Sequence, residues 1–228
     1  MDFGLAFSYV FKDKDWFRKI GIISLVALIP IVGQIVVYGW MLNITKRVMD
    51  RDPNPLPDMD FGADLSRGFM GFVISFVYSL PMLSVYGMIM LLSVASSYSG
   101  SEQTAEVLAA FLSICAGFFM LVYGIFVALI VPAAVTRYLE KASLSAAFDF
   151  SEVFKQVRLN PGAYFMVVLG TLVAGLIAPI GLIACIIGVM LTYTYSMAVM
   201  GHFYGQAHNE ANKNKRVVEI PPSSPEVI

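Results

Sequence analysis

Long apolar runs separated by short charged segments dominate this chain. Residues 20–45, 68–101, 107–136 and 159–209 contain no Lys, Arg, Asp or Glu. The apolar positions in these runs occupy all sides of a helix instead of one stripe, and each run exceeds the ~18 residues typical of a membrane span. The pattern therefore predicts an all-α, polytopic membrane protein.

Two of the runs contain a proline-glycine corner, which indicates that the chain folds back inside them. The corners lie at Pro30 to Gly33 and at Pro179 to Gly181. As one helix, residues 20–45 would cover ~39 Å, enough for a tilted crossing of a ~30 Å hydrocarbon core. As a hairpin, each arm would cover only ~20–24 Å. Length alone leaves both alternatives open.

The distribution of charge favours the hairpin. Charged residues make up 14% of the chain, against about 25% in ordinary soluble domains. If residues 20–45 fold back, all 15 Lys and Arg residues lie on one side of the membrane, as the positive-inside rule expects of the cytoplasmic side. A single span would divide them between the two sides. We therefore predict about six membrane helices: two proline-cornered hairpins flanking a pair of full spans, with both termini cytoplasmic in the plasma membrane.

The two hairpins also look like copies of one unit. Residues 7–13 (Phe-Ser-Tyr-Val-Phe-Lys-Asp) and 150–156 (Phe-Ser-Glu-Val-Phe-Lys-Gln) agree at five of seven positions without a gap. Such self-similarity is typical of internal repeats. The prediction is a single integral membrane domain, residues 1–208, with repeats at about 6–49, 61–138 and 147–208, followed by a disordered cytoplasmic tail at 209–228.

Charged, partly apolar segments flank the spans. Residues 3–19 and 140–158 are expected to form short amphipathic helices in the membrane interface. The second of these places the apolar face at Phe150, Val153, Phe154 and Val157. Lys and Arg on these segments could bind anionic lipid headgroups, or they could serve only to set topology. Within the two full spans, Pro81 is expected to kink its helix and Pro132 to mark the inner end of its span.

The loop after the first run carries a more specific pattern. It reads Pro-Leu-Pro-Asp-Met-Asp-Phe at residues 55–61 and precedes Arg67-Gly68-Phe69. With the aromatic-lysine-aspartate opening that ends in Trp16, this pattern resembles the prokaryotic multi-pass membrane protein family catalogued as domain of unknown function 4013. The likeness covers most of residues 5–208. It implies a membrane location and a helical repeat plan, and it brings no activity, cofactor or catalytic residue.

Residues that could carry chemistry are sparse in the apolar runs. The chain contains no His-Glu-x-x-His, P-loop, Gly-x-Ser-x-Gly or Cys-x-x-Cys motif, and Cys115 and Cys185 lie within apolar runs, where a thiol behaves as a small hydrophobe. We therefore expect a protein that is not an enzyme, needs no cofactor and binds no nucleic acid. An ionisable group inside a span is a functional candidate by default, and His202 is that candidate here, as a proton relay or as an interfacial histidine.

The last run holds a cluster of polar side chains that could line a groove. These are Thr192, Tyr193, Thr194, Tyr195 and Ser196. Hydrogen bonding between packed helices is the alternative role. The expected function is a non-enzymatic one, exerted through packing, lipid contact, a membrane protein partner or a second copy. A small transporter or permease-like subunit is the first alternative, and a lipid-modifying enzyme is the second.

Overall fold

A computed structural model describes residues 1–97 and 102–219, which form helices joined by short connections and contain no strand. The predicted all-helical fold class is confirmed. Within the described residues, nine α-helices and two 3-10 segments follow one another: α1 (Phe3–Ser8), a 3-10 segment (Tyr9–Lys12), α2 (Trp16–Val26), α3 (Val32–Met49), α4 (Phe61–Ser97), α5 (Glu102–Lys141), α6 (Leu144–Ala147), α7 (Phe150–Leu159), α8 (Pro161–Ile177), a 3-10 segment (Ala178–Ala184) and α9 (Cys185–Glu219).

Three segments of the described chain are long and apolar enough to cross a membrane. They are Phe61–Ala95, Ala109–Lys141 and Pro161–Leu182. The six membrane helices predicted from the sequence exceed this number. The clearest shortfall is α2, because its 11 residues give a length of about 16 Å against a hydrocarbon core of ~30 Å.

The core of the protein lies around α3 and α9. Helix α3 buries a continuous set of large side chains, among them Trp40, Met41 and Ile44. Helix α9 packs against α1, α2, α3, α5, α7 and α8, and its Val199 and Phe203 are fully buried. These two helices therefore fix the positions of the others.

Glycines bring α3 into backbone contact with both of its main neighbours. A Cβ added at Gly39 would overlap the carbonyl oxygen of Asp64 in α4, and one at Gly68 would overlap the carbonyl of Ile35. Across α9, a Cβ at Gly201 would lie 2.6 Å from the carbonyl oxygen of Met41. Side chains larger than glycine are therefore excluded from these crossings, as is common where membrane helices pack closely.

The first proline-glycine corner is a tight reversal between α2 and α3. Ile31 has φ 63° and ψ −65°, and the backbone N–H of Val32 donates to the carbonyl of Pro30 at 2.7 Å. This is a γ-turn of the rare type with positive φ. A glycine is required at position 33, because a Cβ there would overlap the carbonyl oxygen of Val26.

The second corner is built differently. Instead of a γ-turn, the seven-residue 3-10 segment Ala178–Ala184 contains Pro179 and Gly181. Thr192 Oγ1 in α9 donates to the carbonyl of Ala178 at 2.7 Å, and a Cβ at Gly181 would overlap the carbonyl of Gly188. The two hairpins thus share a composition but not a local conformation, and the internal repeat stays a prediction.

The interior prolines leave both long helices unbroken. Pro81 lies inside α4, as predicted, and the hydroxyl of Tyr123 in α5 donates to the nearby carbonyl of Tyr78 at 2.9 Å. Pro132 lies inside α5, which continues to Lys141. A proline removes one backbone donor and leaves the carbonyl four residues earlier without its helical partner, a loss that membrane helices tolerate.

The C-terminal segment is more ordered than its polar composition indicates. Helix α9 continues to Glu219, and Ala211 is buried in the core. Residues 209–219 of the predicted tail are therefore helical, whereas 220–228 lie outside the described residues. The polar side chains of this part bond to the bundle, since Asn209 Nδ2 donates to the carbonyl of Val48 at 2.8 Å.

The charged segments meet at one end of the bundle. Lys19 Nζ at the start of α2 donates to the carbonyl of Leu56 at 2.8 Å, and Arg18 pairs with Asp58 at 3.0 Å. At the far side of this end, Arg137 of α5 faces Glu152 of α7, and α9 reaches the end of α7 through Asn214 and Leu159. We refer to this end as the basic end.

Replacing Gly68 by alanine tests the close crossing of α3 and α4. Gly68→Ala is expected to destabilise the protein by about 1–3 kcal/mol, because the helices must separate to admit the methyl group. Gly87→Ala, in the same helix, is the matched control, since nothing lies within 4 Å of a Cβ there. The control should be neutral or slightly stabilising. Thermal unfolding in detergent measures both, and equal effects would contradict the crossing.

Candidate functional site

The polar run of α9 faces neighbouring helices. Ser196 Oγ donates to the carbonyl of Ala174 in α8 at 2.7 Å. Thr194 is fully buried, and its Oγ1 accepts a hydrogen bond from Ser24 Oγ of α2 at 3.0 Å. Thr192 reaches the corner before α9, as described above. The three hydroxyls therefore connect α9 to three different elements.

The two tyrosines of the run lie nearer the surface of the bundle. The hydroxyl of Tyr195 donates to the carbonyl of Phe7 in α1 at 2.8 Å, and its ring lies 5.6 Å from that of Phe11. Tyr193 packs against the core cluster that includes Trp40. Of the five residues predicted to line a groove, four thus hydrogen-bond to other elements and the fifth packs against the core.

His202 is buried at the contact between α9 and the N-terminal segment. Its ring stacks on Tyr9 with centroids 4.5 Å apart, and its Nδ1 hydrogen-bonds with Gln206 Nε2 at 2.9 Å. Gln206 also contacts the N-terminal segment, because its Oε1 accepts a hydrogen bond from the backbone N–H of Asp2 at 2.8 Å. His202 therefore belongs to a packed polar contact.

Two open pockets of the basic end adjoin His202. One, of about 530 Å³, is also lined by Asp2, Arg51 and Lys213. The other, of about 250 Å³, lies between the N-terminal segment and the loop that follows α3, and Asp13 lines it. Both pockets combine acidic and basic side chains at their rims.

Asp13 anchors the start of α2 through a largely buried ion pair. Lys19 Nζ donates to its carboxylate at 2.8 Å, and the two side chains are only 12% and 15% exposed. Burial acts to raise the pKa of Asp13, but hydrogen bonds from Lys19 and from the backbone N–H of Asp15 outweigh it and lower the pKa below its ordinary value. The pair therefore stabilises the fold at neutral pH, and this contribution is lost as the pH falls through the lowered pKa.

A second buried polar cluster was not predicted from the sequence. The side-chain amide of Gln156 in α7 donates from Nε2 to Tyr164 in α8 at 2.6 Å and to Thr136 in α5 at 3.1 Å. It also hydrogen-bonds with Nδ1 of His208 in α9 at 3.3 Å, and Nε2 of His208 hydrogen-bonds with Asn212 at 2.8 Å. Four helices thus meet at one glutamine.

A signal for this cluster was present in the motif shared by residues 7–13 and 150–156. The two copies diverge at their last position, where Asp13 and Gln156 both enter buried polar contacts. Sequence reasoning used the agreement of the copies and passed over the mismatch. A polar residue three positions after a buried valine, as Asp13 follows Val10 and Gln156 follows Val153, is the pattern that could have indicated it.

The family described as Protein of unknown function (DUF4013) matches residues 22–201. The chain belongs to this family. The matched part covers most of the chain, from within α2 to the glycine at which α9 crosses α3, and it includes both proline-glycine corners. No curated protein and no solved structure matches this DUF4013 protein.

Clusters of metal-ligating side chains are absent from the described part of the chain. Within residues 1–97 and 102–219, no three His, Cys, Asp or Glu side chains come together in an arrangement that could hold a metal ion.

Removing the three hydroxyls of α9 tests their role. A variant with Thr192→Ala, Thr194→Val and Ser196→Ala is expected to lose up to about 2 kcal/mol of stability, since each interhelical hydrogen bond in a membrane protein is worth about 0.6 kcal/mol. Ser84→Ala is the control, because that hydroxyl is exposed and donates within its own helix to Leu80. Thermal unfolding in detergent is the measurement. An undiminished stability of the triple variant would contradict the packing role.

Proposed function

We propose that this DUF4013 protein is an integral membrane protein of the plasma membrane with a non-enzymatic role, exerted through lipid contact and through partners in the bilayer. It crosses the membrane with the three apolar segments described above, in α4, α5 and α8, and with α9, which packs against α8 as the return arm of the second hairpin. The hairpin of α2 and α3 enters the bilayer from the basic end and returns to it. Both termini are cytoplasmic.

The observation that carries the proposal is the separation of polar and apolar side chains. The hydroxyls in the apolar part of α9 are engaged in hydrogen bonds between helices, which is how polar groups are accommodated at membrane depth. The outward surface is apolar instead. Exposed large side chains along α4, α5 and α8 include Phe69, Phe72, Phe76, Leu83, Phe111, Ile114, Phe118, Leu121, Phe165, Leu172 and Leu176.

Apolar exposure on this scale is unfavourable in water and favourable in lipid. Soluble monomers rarely expose contiguous apolar patches of more than a few hundred Å². The same surface is available to a membrane protein partner or to a second copy of the chain. A role in packing, lipid contact or partner contact follows more directly than one in substrate passage.

The length of the first hairpin supports a return within the bilayer. From Lys19 to the corner at Pro30, about 11 residues rise only ~16 Å, roughly half of the hydrocarbon core. The tip is apolar and exposed at Leu28, Ile29 and Ile31. A tip of this kind is stable in lipid only if its backbone polar groups find partners within the protein.

The backbone of this tip meets that requirement to a large extent. The N–H groups of Leu28, Ile29, Val32 and Gly33 each donate to a carbonyl two to four residues earlier. In addition, the side chain of Gln34 donates from Nε2 to the carbonyl of Ala27 at 2.8 Å. The corner is therefore suited to hydrocarbon depth.

The basic end supports the orientation. The contacts among α2, the loop after α3, α5, α7 and α9 gather Arg18, Lys19, Arg137 and Lys155 at one end of the bundle. Basic residues accumulate on the cytoplasmic side of membrane proteins. With four crossings and one returning hairpin, the N-terminal segment and the end of α9 share that side.

Single cysteines test this topology in a background with Cys115→Ala and Cys185→Ala. A membrane-impermeant maleimide applied to intact cells should leave Lys14→Cys unlabelled and should label Ser99→Cys. Ser99 belongs to the segment that the sequence predicts to face outside, and it is not among the described residues. After the cells are opened, Lys14→Cys should react. Lys14 is exposed in the structure, so its reactivity reports the side of the membrane.

A cysteine at Ile31 distinguishes a returning hairpin from a complete one. Ile31 is 75% exposed, yet Ile31→Cys should stay unlabelled from either side and react once detergent replaces the lipid. Labelling of Ile31→Cys on intact cells would mean that the hairpin crosses fully and that six helices span. Labelling of Lys14→Cys on intact cells would instead refute the proposed orientation.

A further inference from the structure

A small pocket at the basic end lies between α5, α7 and α9. Its volume is about 110 Å³, and Arg137, Glu140, Lys155, Gln156 and Asn212 are among its lining residues. Since one water molecule needs about 10–15 Å³ of internal space, a group the size of a phosphate fits. Gln156, the centre of the buried polar cluster, and Asn212, which hydrogen-bonds with His208 of that cluster, both line the pocket.

Arg137 is incompletely satisfied in this pocket. Its side chain is only 12% exposed, and its Nε is a buried nitrogen without a hydrogen-bond partner in the part of the chain that the structure describes. Its Nη1 lies 3.5 Å from Glu152 Oε2, whereas charge-assisted hydrogen bonds of this kind are usually ~2.7–2.9 Å long. A buried donor without a hydrogen-bond partner is unfavourable, so the guanidinium is ready to bind an anion.

The charge of the pocket favours an anion as well. Arg137, Lys141 and Lys155 line it, against Glu140 and Glu152. Glu152 is shared between Arg137 and Lys155, and its oxygens lie 3.5 and 3.7 Å from their nitrogens. One carboxylate with two long contacts leaves both cations with unused donors.

An open apolar groove continues from this pocket along the outside of α7. Its volume is about 800 Å³, and Phe150, Phe154 and Arg158 line it. Lys155 and Leu159 line both the groove and the pocket. The two phenylalanines are about half exposed, whereas Val153, which the sequence places on the same apolar face, is fully buried. A charged pocket and an apolar groove thus share one wall.

We propose that this composite site binds one anionic phospholipid, whose phosphate lies against Arg137 and Lys155 and whose acyl chain lies along Phe150 and Phe154. The assignment rests on the proposed function, because it requires α7 to lie at the cytoplasmic interface of the membrane. Guanidinium groups match phosphate oxygens with paired donors, and an aromatic face exposed beside them suits an acyl chain. A free phosphate would use the pocket alone.

Purified full-length protein in a neutral detergent provides the test. Short-chain phosphatidylglycerol, short-chain phosphatidylcholine and inorganic phosphate are titrated separately, and the midpoint of thermal unfolding gives an apparent affinity for each. Phosphatidylglycerol should raise the midpoint most. Lys155→Gln should weaken its binding about fivefold, which corresponds to about 1 kcal/mol for one basic residue near the interface.

The chain offers a matched control for each part of the site. Lys213→Gln controls for Lys155→Gln, because Lys213 also pairs with a glutamate three residues away and is equally exposed, at 56% against 54%. Phe165→Ala controls for Phe154→Ala, since both rings are about half exposed. The two variants in the site should weaken binding, and the two controls should leave it unchanged.

Arg137→Lys keeps the positive charge but removes Nε, so it should weaken lipid binding. The midpoint of thermal unfolding without lipid shows whether this variant still folds.

Three results would overturn the proposal. Equal effects of Lys155→Gln and Lys213→Gln would indicate general attraction to the basic end. A response to inorganic phosphate as large as that to phosphatidylglycerol, unaffected by Phe154→Ala, would indicate a free anion as the occupant. Equal stabilisation by phosphatidylcholine would exclude recognition of the negative charge. None of these results alters the labelling of Lys14→Cys and Ile31→Cys, so a failure of this site is distinguishable from a failure of the topology.

Discussion

The close approach of α3 to α4 and α9 is the contact on which the rest of the structure depends. Gly39 and Gly68 place two helix backbones against each other on one side of α3, and Gly201 does the same on the other side. Helices in lipid gain little from excluding water, so backbone proximity and packing supply much of the attraction. The hairpins and the segments at the basic end attach to this three-helix unit.

The scarcity of charge inside the bundle leaves hydrogen bonds to specify which helices meet. Ser24, Thr194 and Ser196 each bond across a helix boundary, and the Gln156 cluster joins four helices at once. Apolar side chains alone would permit several alternative packings. The buried polar groups favour the arrangement in which each finds its partner.

The sequence predicted the elements of this fold better than their contacts. Runs without charge revealed the long helices, and Pro30 and Gly33 revealed the reversal between α2 and α3, because these signals are local. Pro132 did not stop α5, which continues to Lys141, because a proline is tolerated inside a membrane helix. The sequence did not indicate that Val153 is buried whereas Phe154 is exposed, because helical spacing does not tell whether an apolar side chain meets protein or lipid. The sequence marks the polar run of α9 as a candidate site, but it does not reveal which residues of α2 and α8 the hydroxyls bond to, because those partners lie in other segments of the chain.

The buried residues of α4 and α5 are concentrated in the half of each helix nearest the basic end. In α4 the buried positions Asp64, Gly68, Gly71, Ile74 and Tyr78 follow a helical period and then cease, and no residue from 79 to 95 is buried. The same change occurs in α5, where no residue from 109 to 129 is buried but every one from 130 to 136 is. The outer halves of these two helices therefore depend on lipid for their surroundings. Local stability follows the density of buried contacts, so the basic end is the rigid part of the molecule, and ligand recognition that needs fixed geometry belongs there.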